Sequence, residues 1–128
     1  MKMALNERQA LDLWRRLICG YVRSDEADLT ARQQAVLVTV ALTPGPHTVR
    51  GLSSDLNVAK PAITRALDVL EALGHVKRIR DPADMRSVLI ERTVQGADWL
   101  REFGLRIIAA EAGFEPESEI PPAQRSVA

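Results

Sequence analysis

Apolar residues recur at three- and four-residue intervals through most of this chain, and the rhythm breaks at clusters of proline, glycine, asparagine and aspartate. Leu11, Trp14, Leu17, Ile18, Tyr21 and Val22 form one stripe and predict a helix over about 5–23. Asp25, Glu26 and Asp28 interrupt it. Thr30 is a candidate N-cap for a helix over 31–42, because its hydroxyl can accept a first-turn amide. Val36, Leu37, Val40 and Ala41 should face inward there. Thr43-Pro44-Gly45-Pro46 stops that helix, since proline has no N–H to continue it. Thr48 caps a short helix, Val49 to Leu56, whose Leu52 and Leu56 should pack on the core. Asn57 suits a tight turn, because asparagine tolerates left-handed backbone angles. A further helix follows over about 60–73, with Pro61 in its first turn and Ile63, Ala66, Leu67, Leu70 and Leu73 on its buried face. Gly74 is the expected stop.

Beyond Gly74 the period changes. His75–Arg80 and Ser87–Arg92 are predicted strands, with Val76, Ile79, Val88 and Ile90 as apolar positions flanked by charge. Asp81-Pro82-Ala83-Asp84 links them, so the pair is a hairpin with a tip of several residues. Thr93 caps a last helix over 94–112. Val94, Ala97, Leu100, Leu105 and Ile108 lie on one side of it, with Trp99 and Phe103 on another. A helix apolar over more than one face usually needs a second partner surface. From Glu115 onward Glu, Pro, Ser and Gln predominate, and residues 114–128 are expected to be a disordered tail.

The predicted fold class is mainly α with a small β wing. A short helix, a tight turn, a second helix and a basic hairpin make a winged helix-turn-helix. That layout puts one helix in the DNA major groove and a hairpin along the neighbouring backbone.

Composition narrows the picture. The 128 residues suffice for one domain, and 46% are apolar, enough for a core. A single cysteine cannot form an internal disulfide, so a reducing compartment is the natural expectation. The N-terminal stretch is charged throughout, unlike a signal peptide, and no apolar run approaches the roughly 18 to 20 residues of a membrane span. A cytoplasmic protein without membrane contact is expected. Net charge is zero, with 17 basic and 17 acidic residues. Residues 47–92 nevertheless hold eight Lys/Arg against six Asp/Glu, whereas residues 93–128 hold three against six. Phosphate binding needs a local basic surface rather than a basic chain.

On a helical wheel, Lys60, Pro61, Thr64, Arg65 and Asp68 share the polar face of the 60–73 helix, with Glu71 at its edge. Arg65 can form a bidentate bond to guanine O6 and N7. Thr64 can touch a thymine methyl or a phosphate, and Lys60 can meet phosphate. Asp68, three residues after Arg65, is expected to hold that guanidinium or to accept from cytosine N4. In the hairpin, over 75–92, Arg78, Arg80, Asp84 and Arg86 are the candidates. Arg86 at the tip can enter a narrow minor groove, with Asp81 or Asp84 orienting it. A solvated amphipathic helix and a merely soluble charged hairpin are the bland alternatives for these two elements.

These same segments resemble the MarR (multiple antibiotic resistance regulator) family. "LTARQQAVLVTVAL" is similar to the family's second helix. "TVRGLSSDLNVAKPAITRALDVLEALGHVKR" is similar to its helix-turn-helix, and "DPADMRSVLIERTVQG" to its wing and the start of the next helix. The resemblance implies a repressor or activator that binds double-stranded DNA as a homodimer on a pseudo-palindromic operator. It implies dimerising helices at 1–24 and 94–113 around a DNA-binding domain at 29–93, and a crevice for a candidate small-molecule effector. It thereby supplies the missing partner for the last helix.

Trp14, Cys19, Tyr21, Trp99 and Phe103 are candidates for that effector site or for the dimer core. Cys19 is expected to be structural, because cysteine is among the most buried residues and its immediate neighbours include Leu17 and Ile18. His47 and His75 have no metal-like spacing with it, so neither metal nor cofactor is expected. No nucleophile–base pair or phosphate loop points to an enzyme. The competing class is a winged helix used for protein interaction, with weak or no DNA binding.

Overall fold

The structure, a computed structural model, describes residues 4–113. The expected tail at 114–128 lies outside them. The elements are α1 (Glu7–Arg23), α2 (Ala31–Leu42), α3 (Val49–Leu56), α4 (Lys60–Ala72), β1 (Val76–Asp81), β2 (Asp84–Arg92) and α5 (Val94–Ala112). By its contacts the chain divides into two compact units: Ala27–Glu102, and Met1–Glu26 with Phe103–Ala128.

In the unit Ala27–Glu102 the helix ends are set by short side chains. Thr30 Oγ1 accepts the Gln33 amide at 3.1 Å, and Gln33 Oε1 accepts the Thr30 amide at 2.9 Å. This reciprocal box satisfies two otherwise orphaned first-turn donors of α2. Thr48 Oγ1 accepts the Gly51 amide at 3.0 Å and starts α3. Asn57 ends α3 at φ 53°, and Ser53 Oγ closes the following turn on the Val58 carbonyl at 2.6 Å. Gly74 leaves α4 at φ 84°, a conformation an L side chain rarely adopts. Val36, Leu37, Leu52, Ile63, Leu67 and Leu70 are all fully buried and join α2, α3 and α4. Each contributes about 1.5–3 kcal/mol relative to exposure.

The hairpin is longer, and its tip shorter, than its sequence suggested. Register runs from Val76↔Arg92 to Arg80↔Val88 and then, after an irregularity, to Asp81↔Asp84. Only Pro82 and Ala83 remain outside the strands. The reason is local: Asp81 Oδ1 accepts the Ala83 amide at 2.8 Å, and Asp84 Oδ1 accepts the Arg86 amide at 3.1 Å. These side chains satisfy the donors that a tight turn would otherwise leave open. His47 adds a single bridge to the other edge of β2, where the Ile90 amide donates to its carbonyl at 2.9 Å.

The first turn of α5 is clasped to the end of α4. Thr93 Oγ1 donates to the Gly74 carbonyl at 2.6 Å and accepts the Gly96 amide at 2.9 Å. Gln95 Nε2 donates to the Leu73 carbonyl at 2.9 Å. Trp99 is buried, with its ring centroid 5.8 Å from that of His75.

In the other unit α1 begins at Glu7, two residues later than its apolar rhythm suggested, because Asn6 and Gln9 form a second reciprocal cap at 2.8 and 3.0 Å. Leu17 and Tyr21 of the predicted stripe are buried, but Leu11, Trp14 and Val22 are exposed in the single chain. Tyr21 meets Phe103 edge-on at 5.5 Å. Arg106 lies 5.8 Å from the Tyr21 ring centroid and bonds Glu26 Oε2 at 3.3 Å. Leu13, Trp14, Leu17, Ile107 and Ala110 help line an apolar groove of about 210 Å³.

Candidate nucleic-acid interface

Helix α4 has two sharply different faces. Ala62, Ile63, Ala66, Leu67 and Leu70 are buried, while Lys60, Pro61, Thr64, Arg65 and Asp68 are exposed. Among the described residues, no side-chain hydrogen bond or ion pair ties down Lys60, Thr64 or Arg65. Their donors therefore face solvent, or any ligand that lies along the helix. The expected Asp68–Arg65 pair does not form. Asp68 Oδ1 instead bonds Arg78 Nη2 of β1 at 2.8 Å. Arg78 wins because its planar fork engages two carboxylates at once, whereas Arg65 would bond one across a flexible i,i+3 gap.

Arg78 is thus a strut between strand and helix. Its Nη2 also bonds Glu71 Oε1 at 2.9 Å, its Nε reaches the same oxygen at 3.3 Å, and its amide donates to Glu71 Oε2 at 3.1 Å. Only a quarter of its side chain, 25%, is exposed. The Glu71 bond, followed by that from Asp68, raises the Arg78 pKa above its ordinary value. In turn the Arg78 guanidinium, followed by its backbone amide, lowers the Glu71 pKa. Sequence alone offered Arg78 as a DNA-binding cation near the base of the wing, and the structure pairs it with Asp68 and Glu71.

The wing tip is also ordered by its own side chains. Asp84 Oδ1 lies 3.3 Å from Arg86 Nε, as the sequence suggested. Arg86 keeps 93% of its side chain exposed. Arg80 Nη1 donates to the Met85 carbonyl at 3.0 Å. Lys60, Thr64, Arg65 and Arg86 therefore expose donors, whereas Arg80 bonds the Met85 carbonyl and Arg78 two carboxylates. One further cation escaped the sequence reading. Arg50 is exposed in the first turn of α3, the first helix of the helix-turn-helix, which crosses the DNA backbone in this motif.

Of the remaining candidates, Trp14 is exposed on α1, Cys19 is half-buried, and Tyr21 is buried against Phe103. Trp99 belongs to the winged-helix unit. No group of three His, Cys, Asp or Glu among the described residues is placed to hold a metal. No described helix is long and apolar enough to cross a membrane.

Residues 27–87 match the profile of the MarR family, covering α2 to the start of β2. This winged-helix region belongs to the MarR family. One relative is an uncharacterized HTH-type transcriptional regulator, YkoM, of Bacillus subtilis (strain 168). It is 25% identical over 133 residues, which span 93% of this chain and 86% of the relative. Among solved structures, a mutant of MarR from E. coli complexed with operator DNA is 29% identical, with TM-score 0.60 over 80% of this chain and 67% of that one. CouR from Rhodococcus jostii, bound to p-coumaroyl-CoA, is 25% identical, with TM-score 0.59 over 82% of this chain and 68% of that one. This chain is a transcriptional regulator built on the winged helix, with α3, the Asn57 turn and α4 as its helix-turn-helix and the β1–β2 hairpin as its wing.

Proposed function

We propose that this regulator binds a pseudo-palindromic operator as a homodimer, with α4 in the major groove and the β1–β2 wing at the adjoining minor groove. The observation that carries the reading is the two-faced α4. Lys60, Thr64 and Arg65 are exposed and uncommitted over a fully buried opposite face, and Arg78 braces that helix to the wing. Arg65 reads a guanine edge, Thr64 a thymine methyl or phosphate, and Lys60 and Arg50 bind phosphate. Arg86 enters the minor groove. The complex of the E. coli MarR mutant with operator DNA supports operator binding.

Dimerisation through α1 and α5 is supported by Leu11, Trp14, Val22, Leu105, Ile107 and Ile108, all exposed in the single chain. Apolar surface on this scale marks an interface rather than a solvated face. A small-molecule effector belongs to the same reading and is supported by the CouR complex.

The test is fluorescence anisotropy with the duplex upstream of this protein's own gene, a scrambled duplex and two salt concentrations, alongside sedimentation of the free protein. A dimer that prefers the native duplex by tenfold or more, with affinity falling steeply in salt, supports the reading. A folded dimer that binds both duplexes weakly and equally overturns it in favour of a protein-interaction module.

A further inference from the structure

The wing tip consumes its negative charge internally and leaves an apolar side chain outside. Asp81 accepts the Ala83 amide, and Asp84 accepts the Arg86 amide together with the Ser87 hydroxyl at 3.4 Å. Both aspartates are half-buried, while Pro82, Ala83, Met85 and Arg86 are exposed. Arg80 holds the Met85 carbonyl at 3.0 Å, so the backbone from which the methionine departs is fixed on both sides. Met85 is nevertheless 63% exposed. The most protruding part of a charged hairpin therefore presents apolar atoms and one guanidinium, with its carboxylates tied back.

That combination matches a minor groove. The groove is narrow, its floor is electronegative, and its walls are the apolar faces of deoxyribose. Apolar side chains, methionine included, are used by minor-groove proteins against sugars and base steps. Methionine is also unbranched, so it can fit a wall whose shape varies with sequence. Met85 and Arg86 are adjacent and both exposed in the irregular stretch between Asp84 and Val88, so each can meet a different part of the groove.

We propose that Met85 is a DNA-contacting residue of the wing, packing its thioether against a deoxyribose wall beside the point where Arg86 enters the minor groove. The proposal rests on the duplex-binding reading above. Such a contact releases no counterion. It raises affinity without altering the salt slope, unlike a contact made by a cation.

The experiment is an anisotropy salt series on the preferred duplex with the full chain and its Met85→Leu, Met85→Gln, Met85→Ala and Arg86→Ala variants. Thermal denaturation confirms that each is folded. Met85→Ala and Met85→Gln are expected to weaken binding about three- to tenfold with the wild-type slope, and Met85→Leu to bind as wild type. Glutamine keeps the length of the side chain but not its apolarity, so it separates surface chemistry from volume. Arg86→Ala should weaken binding and reduce the slope by about one. Wild-type affinity in both the Ala and Gln variants, with Arg86→Ala weakened, overturns the role of Met85 and leaves the duplex-binding reading standing. A wild-type protein that binds no duplex, with no effect of Arg86→Ala, overturns both.

Discussion

Arg78 Nη2 stands 2.8 Å from Asp68 Oδ1, across ten residues of chain, and this bond joins the first strand of the wing to α4. Glu71 completes the clasp on the same guanidinium. The consequence is that the hairpin and α4 are tied to each other through one guanidinium. The clasp also sets one positive charge against two carboxylates at the edge of the surface proposed to meet phosphate.

The clasp separates a strut from a contact. If Arg78 touched phosphate, lysine would serve nearly as well, because phosphate accepts a point charge. A fork engaging two carboxylates is lost in lysine. Arg78→Lys is therefore expected to weaken operator binding about as much as Arg78→Ala, with the salt slope close to wild type. The pair is partly exposed, so the accompanying loss of stability should stay at about 1 kcal/mol or less. Anisotropy of both variants over a salt series decides this, and lysine matching wild type would restore Arg78 to the DNA contacts.

The same clasp sets a pH dependence. Bonding from Arg78 depresses the Glu71 pKa in the folded protein. A depressed acid contributes its stabilisation above its unfolded value and loses it as pH falls through the lower folded one. The clasp should therefore persist through neutral and mildly acidic solution and open only below the ordinary glutamate range. Carboxyl NMR titration should place the Glu71 midpoint below that range in the wild type and return it upward in Arg78→Ala. An unchanged midpoint in the variant would show that Arg78 does not hold the carboxylate in solution.

The helix ends were legible because their signals are local. Thr30, Thr48 and Thr93 cap, Asn57 and Gly74 turn, and Pro61 sits where its missing N–H costs nothing. The capping boxes went unread, and with them the start of α1, although Asn6 and Thr30 are each followed three residues later by glutamine. The clasp was not legible. Asp68 has a nearer arginine in Arg65, and only the hairpin's approach to α4 makes Arg78 the better partner. Trp99 was indistinguishable by rhythm from a dimer-core residue, and only its packing beside His75 assigns it to the winged-helix unit. The short tip escaped because Asp81 and Asp84 each resemble a loop residue until their carboxylates are seen to cap the turn's own amides.

Gly96 tests how tightly α5 is seated. A Cβ there would press on the His75 carbonyl, lying 3.0 Å from its carbon and 3.2 Å from the His75 Cα. Alanine is favoured over glycine by about 1 kcal/mol in a helix interior, and by less in a first turn. Overpacking against rigid backbone costs about 1–3 kcal/mol. The steric cost should win, so Gly96→Ala is expected to lower stability by about 2 kcal/mol in urea denaturation. A stability at or above wild type would mean that α5 shifts freely from the end of α4.

Arg65 and Lys60 share the exposed face of α4 but should fail differently. Arg65 carries a planar fork suited to guanine O6 and N7, and among the described residues no protein group bonds it. Lys60, at the first position of the helix, suits phosphate. Arg65→Ala should cost about 1–3 kcal/mol on the preferred duplex and relax discrimination at one base pair. Lys60→Ala should weaken preferred and scrambled duplexes alike and lower the salt slope by about one. The measurement is a competition titration in which each variant meets both duplexes at two salt concentrations. If Arg65→Ala weakens both duplexes equally, Arg65 binds phosphate, and base reading must lie with Thr64 or elsewhere on the helix. If its loss is confined to the preferred duplex while that of Lys60→Ala is not, one helical face divides its work between recognising sequence and holding the backbone.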